Sequence, residues 1–225
     1  MEIVVSRYNE DLKWTLNEPF CNYEYTVYNK GNNEDFERSK VKKVISLENV
    51  GKECHTYLYH ILANYDNLAP ITFFIPASIE IHYKYDKIIK TLERMKETDH
   101  AVFLAEKCEN AYEKFRDFQI DYWLGTNSKN QQLNPNGYLE ACEYRPFHRW
   151  YDRFFNKEDI INWWSYNSIF AVDKRDILQH PRERYERLIE GLKKGNNLEE
   201  VHYIERVWAA VFYPFHYTLT EHYQQ

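Results

Sequence analysis

His202 and Glu205 stand three residues apart in the run HYIER near the end of the chain. That spacing sets both on one stripe of a helix, while Val201, Ile204, Trp208 and Val211 form its apolar stripe. A carboxylate so placed can take the proton of an attacking hydroxyl as a general base, or it can sit salt-bridged on a solvated face. Asp173 is a rival carboxylate, just past the run Ser168-Ile169-Phe170-Ala171-Val172 and followed by Lys174-Arg175-Asp176, where a capped turn would use the same residues. Arg149 and Trp150 belong to a stretch, Arg145 to Tyr151, that mixes cations with aromatic rings as sugar-binding grooves do; with Trp163 and Trp164 they would also serve as core.

A second group of residues suits anions and bases. Arg7 follows the strand-like EIVVS, and its guanidinium can grip a phosphate in bidentate fashion. Asn9 and Asn29 carry the paired donor and acceptor that match a pyrimidine edge, although Asn29 before Lys30-Gly31 is also ordinary turn chemistry. Asn49-Val50-Gly51-Lys52-Glu53-Cys54-His55 opens a helix, whose free N–H groups and dipole attract anions; Gly51 would allow close approach, and Lys52 or His55 would add charge. A capped helix start with a surface lysine explains the same residues. The GxxxxGK[ST] pattern of a P-loop is missing there.

The elements that must position these groups alternate in type. Short β-rich runs at 2–6 and 24–28 each open into a polar turn, 41–47 is a third, and 71–75 is a continuous apolar run suited to a strand buried on both sides. Helical periodicity marks 54–62, about 84–97, about 106–120, a segment opened by Pro181 and stopped near Gly195, and roughly 199–212. An apolar patch at 101–105 and the run 168–172 read as further strands, and the polar segment from Gly125 to Gly137 as a loop that is either lid or linker. Interleaved strands and helices predict one α/β domain over 1–225 with a mostly parallel central sheet flanked by helices. In such sheets ligands sit beyond the carboxyl ends of the strands, which selects Ser6, Arg7, Asn9, Asn29, Ser78 and Glu80.

Composition narrows the classes. With 44% hydrophobic and 17% aromatic residues in a 225-residue chain, there is enough apolar mass for a substantial core. A net charge of −6 argues against a nucleic-acid partner or an anionic membrane surface. Cys21, Cys54, Cys108 and Cys142 form no CxxC pair and read as reduced, buried hydrophobes. No apolar run approaches the length of a membrane span and no leader pattern opens the chain, so a cytoplasmic location is expected.

The order of pieces resembles GT-A-fold glycosyltransferases: a strand ending in VSRYNED, a second ending in VYNKG, the helix start NVGKECH and the strand FFIPASIE. Through SRYNEDLKW, NVGKECHTYLYHI, RPFHRW and HYIERVWAAVF the chain is further similar to a family of large DNA viruses and some eukaryotes, itself similar to the N-terminal glycosyltransferase domain of a chlorella-virus protein that glycosylates capsid. That resemblance covers most of the chain. It implies transfer of a sugar from a UDP-, GDP- or dTDP-linked donor to a glycan or glycoprotein acceptor, in the host cytoplasm if the chain is viral. Residues 1–80 would be the nucleotide-sugar half, with Ser6, Arg7, Asn9, Asn29, Gly51, Lys52, His55, Ser78 and Glu80 on the donor. Residues 81–225 would be the acceptor and catalytic half, with Arg149, Trp150 and His202 on the acceptor, and inverting transfer would make Glu205 the base with Asp173 as its rival. The sequence departs from the fold's Asp-x-Asp metal motif, replaced by Pro76-Ala77-Ser78-Ile79-Glu80. Glu80 alone offers a carboxylate for Mn²⁺ or Mg²⁺, which puts metal dependence in doubt. Without a metal, Arg7, Lys52 or Arg175 would have to neutralise the leaving diphosphate. Two other classes compete: a non-catalytic nucleotide- or sugar-binding module that has lost its metal motif, and a nucleotidyltransferase or phosphohydrolase, against which the single carboxylate counts.

Overall fold

The computed structural model describes residues 1–125, 131–132, 134–156 and 162–224. The β-rich runs form strands β1 (Glu2–Arg7), β2 (Tyr25–Asn29), β3 (Val41–Ser46), β4 (Ile71–Pro76), β5 (Ala101–Lys107), β6 (Trp163–Trp164), β7 (Phe170–Asp173) and β8 (Thr218–His222). Helices α1 (Lys52–Ala63), α2 (His82–Thr98), α3 (Ala111–Phe115), α4 (Phe147–Phe154), α5 (Lys174–Leu178), α6 (Arg182–Glu190) and α7 (Glu199–Phe212) lie among them.

The central sheet has five strands in the order β3-β2-β1-β4-β7. Its first three ladders are parallel and the last, β4 with β7, is antiparallel, so the sheet is mixed and the expectation of a mostly parallel one is corrected. Asn167 and Ser168 take left-handed backbone angles (φ 70° and 48°) and turn the chain just before β7. A second ladder, β6-β5-β8, carries one antiparallel and one parallel pairing, and β5 runs alongside β7.

Alternation along the strands divides the core between two faces. Ile3 and Val5 of β1, Val27, Phe73 and Ile75 pack with Ile88, Leu92 and Met95 of α2. Val4, Tyr28, Phe74 and Phe170 point the other way, onto Tyr57 and Leu58 of α1, Leu188 of α6 and Trp208 of α7. Pro181 precedes α6 as its N-cap, as its fixed φ favours. The expected helix over 106–120 shrinks to α3, because β5 continues to Lys107 and Asn110 turns left-handed (φ 57°) before the helix can start. The expected loop 125–137 falls partly on residues outside those described. Cys54 and Cys142 are buried as expected, whereas Cys21 and Cys108 are half-buried; all four are free thiols. Among the described residues no helix is long and apolar enough to cross a membrane.

Candidate functional site

From β1 the chain steps outward to β2 and β3, then α1 carries it back across the sheet to β4 on the other side of β1. The carboxyl ends of β1 and β4, where Ser6 pairs with Pro76, are therefore the topological switch point, the place where open α/β sheets leave a crevice. A polar pocket lies there. It is bounded by the ends of both strands, the start of α1, the first turn of α2, Trp123 and the His202–Glu205 face of α7.

The start of α1 is held by groups of three kinds. Gly51 is left-handed (φ 57°), and a Cβ on it would lie 2.7 Å from the Leu192 Cβ, so only glycine fits the turn. Its N–H donates to the Gly195 carbonyl at 2.7 Å, which means that this amide is not offered to a ligand. Lys52 is itself left-handed (φ 46°), a strained position for a residue with a side chain. Buried Lys30 braces it from beneath, donating to the Val50 carbonyl and, at 2.5 Å, to the Lys52 carbonyl. Burial pulls the Lys30 amine down to about 8.

The Lys52 ammonium stands 4.3 Å from the centre of the Trp123 ring, and Trp123 meets the His202 ring edge-on at 5.3 Å. Burial lowers the Lys52 amine, against the opposing pull of Glu53 and Glu205. His202 is held down to about 3 by burial and by Lys52 and Arg206, so its ring is neutral at physiological pH. Its Nε2 is buried and has no hydrogen-bond partner among the described residues. Lys84, from the first turn of α2, donates to the Ser78 hydroxyl at 3.0 Å. Glu205 is half-buried and accepts the Asn167 N–H at 2.5 Å. Burial and the neighbouring Glu53 push its carboxyl above the usual carboxylate range, while Arg206, the Asn167 N–H and Lys84 pull the other way.

The pocket thus brings together Ser6, Arg7, Lys52, Ser78, His202 and Glu205 from the residues singled out in the sequence. Arg7 is 1% exposed and acts largely as a strut: its Nε donates to the Glu10 carbonyl at 2.7 Å, and its Nη1 to Asn29 Oδ1 at 2.6 Å and the Asn33 carbonyl at 2.8 Å. Its Nη2 is left without a partner among the described residues. Asn29, buried, is consumed by Arg7, the Gly31 carbonyl and Glu34. Asn9 and Gly51 adjoin the pocket without lining it.

Other expected residues stand elsewhere. Asp173 ends a strand that runs antiparallel, so it pairs with Ile71, the first residue of β4, at the edge of the sheet opposite the pocket. There it caps α5 and forms an ion pair with Arg175 at 2.9 Å. Trp150 is fully buried on α4 and donates to Glu200 at 2.7 Å, and exposed Arg149 also lies outside the pocket lining. His55 is buried against Tyr59, with burial pulling it down to about 4. Glu80 is exposed and does not line the pocket. Among the described residues no three His, Cys, Asp or Glu side chains converge to hold a metal ion, and the Ser78 hydroxyl beside Glu80 is bound by an ammonium. The carboxylates that do line the pocket are those of Glu10, Glu53 and Glu205. Lys30, Glu53, Lys84 and Trp123 join the site without a sequence signal of their own, apart from the nearness of Trp123 to the polar segment at 125.

Fold and site together define an α/β protein whose charged pocket lies over the switch point of a mixed sheet. The chain belongs to the family described as protein of unknown function (DUF3431), whose model matches residues 3–223. No curated protein matches it.

Proposed function

We propose that the chain is a glycosyltransferase of GT-A type, moving a sugar from a nucleotide-sugar donor to a glycan or glycoprotein hydroxyl. The observation that carries this reading is Glu205, a half-buried carboxylate of raised proton affinity in the switch-point pocket, with two lysines beside it. A base of that kind sits nearer neutrality than a solvated glutamate and is better matched to a hydroxyl proton. In the reaction the acceptor oxygen attacks the anomeric carbon and its proton passes to Glu205. The bond from that carbon to the diphosphate oxygen breaks, and the electron pair leaves with the nucleoside diphosphate. Half-open Trp123 adds an apolar wall to the pocket, and neutral His202 a hydrogen-bonding Nε2.

A second reading, a non-catalytic nucleotide-sugar module, draws on the 2.5 Å bond from the Asn167 N–H, which gives Glu205 a structural task in the turn before β7. Replacing Glu205 by Gln separates them. The amide keeps the shape and an acceptor oxygen but cannot take a proton, so turnover of a nucleotide-sugar should fall by roughly 10²–10⁴ with donor affinity nearly unchanged. Turnover left intact in Glu205→Gln removes Glu205 as base. Donor binding with no turnover or donor hydrolysis by the unaltered chain selects the binding module.

A further inference from the structure

Ser78 stands at the exit of β4, two residues past the strand's last residue, Pro76, in the segment where the resembling fold places its metal-binding aspartates. Here two ammonium ions reach that corner, in a pocket also lined by Glu10, Glu53 and Glu205. Lys84 reaches the Ser78 hydroxyl from α2 at 3.0 Å, and Lys52 comes from the start of α1. The two lysines feel each other's charge and both feel that of Glu205. No side chain or carbonyl among the described residues accepts a hydrogen bond from the Lys52 ammonium, which rests on the Trp123 ring instead. Two further groups lining the same pocket are more than nine-tenths buried and have a polar atom without a partner: Arg7 Nη2 and His202 Nε2. Unpaired buried polar donors beside two ammonium ions are what an anionic, hydrogen-bonding ligand would complete.

We infer that Lys52 and Lys84 together grip the donor's diphosphate and neutralise it as it leaves, so that binding needs no divalent metal. The inference rests on reading the pocket as a nucleotide-sugar site. Each ammonium supplies fixed positive charge to the oxygens on which negative charge accumulates as the sugar–oxygen bond breaks. Lys84, half-buried with its stem along α2, holds its head against Ser78 before any ligand arrives. Lys52 is held by the braced left-handed turn beneath it.

The test is calorimetric titration of the full chain with uridine, guanosine and thymidine diphosphates, once in EDTA and once in Mn²⁺. At least one should bind in EDTA with an affinity within about threefold of that in Mn²⁺. Lys52→Ala and Lys84→Ala should each weaken it about ten- to a hundredfold, the worth of a charge-assisted hydrogen bond, and Lys84→Arg should restore most of the loss. Far-ultraviolet circular dichroism and melting of the variants check that they are folded; Lys84→Ala removes the hydrogen bond to the half-buried Ser78 hydroxyl. Binding seen only with Mn²⁺, or undiminished in folded Lys52→Ala and Lys84→Ala, overturns the inference and leaves glycosyl transfer standing. Absence of binding by all three diphosphates under both conditions overturns both.

Discussion

Lys30 is the residue whose part in the pocket is least visible from its type, since a lysine followed by glycine in a turn suggests a solvated tip. Its amine is buried and spends its hydrogens on the Val50 and Lys52 carbonyls. The fall of its proton affinity from 10.5 to about 8 means that burying the charge costs roughly 3 kcal/mol at neutral pH. Against that stand two carbonyls that would lose their donor, at about 1–3 kcal/mol each if left unpaired. These terms nearly cancel. Lys30→Met should therefore stay within about 2 kcal/mol of the unaltered chain in urea unfolding, while nucleoside diphosphate affinity falls about tenfold as the Lys52 turn relaxes. A variant that unfolds outright, or that binds as before, would show that the brace has been misread. Two other residues of the pocket lining carry a sign in the sequence: Glu205 in its helical stripe and Lys52 in the glycine that precedes it. Arg7 was readable in place but less so in task, because nothing in a sequence tells that the loop from 30 to 36 will fold back to use its N–H groups.

Elements decide which of the sequence's candidates meet. Asp173 reads as a strand-end carboxylate, and strand direction is what removes it from the pocket: β7 runs antiparallel to β4 and ends beside Ile71, the first residue of β4. Residue type gives no sign of that direction. Trp150 fails for a related reason. Its aromatic-cationic stretch forms α4, and helical spacing turns the ring into the core. The last helix, by contrast, is legible in its bounds, roughly 199–212, though not in its kink at Val207, where the backbone leaves helical angles (φ −113°, ψ 16°). Its first residue does more than begin it. Glu199 is fully buried and accepts the Ile120 N–H at 3.0 Å, the Cys142 N–H at 2.8 Å and the Tyr203 hydroxyl at 2.7 Å, with Arg145 beside it at 3.2 Å. One carboxylate thus ties the segments before Trp123 and before α4 to the helix that carries Glu205. Glu199→Gln would turn an amide N–H₂ toward donors and leave Arg145 with Asp121 as its remaining ion-pair partner, which should cost about 1–3 kcal/mol in urea unfolding. A loss under about 1 kcal/mol, the scale of an exposed ion pair, would mean that the network is not cooperative.

At the scale of the whole molecule, the chain hides three histidines in its interior, and this sets how it should respond to acid. His55, His60 and His202 are 7%, 1% and 6% exposed, and burial is the first cause that holds them down to about 4, 4 and 3 against an ordinary 6.5. The sign follows from proton counting. Between pH 6.5 and about 4 the unfolded chain binds protons on these rings and the folded chain does not, so the stability they contribute is complete above 6.5 and is lost as pH falls toward 4. Each is worth a few kcal/mol over that window, and three together rival the roughly 5–15 kcal/mol of a typical domain. Glu200 and Glu205 act in the opposite sense: their raised proton affinities let the folded state take up protons before the unfolded one does, which offsets part of the loss. The histidines outnumber them and lie deeper than half-buried Glu205. Melting temperature should therefore fall steeply between pH 6.5 and 4.5, above the range in which ordinary surface carboxylates titrate. His60→Gln, which keeps a group able to meet the Tyr28 hydroxyl, should flatten that fall even where it lowers stability at neutral pH, because glutamine has no proton to gain. A melting temperature that stays level down to pH 4.5, or a slope unchanged in His60→Gln, would place the acid sensitivity elsewhere.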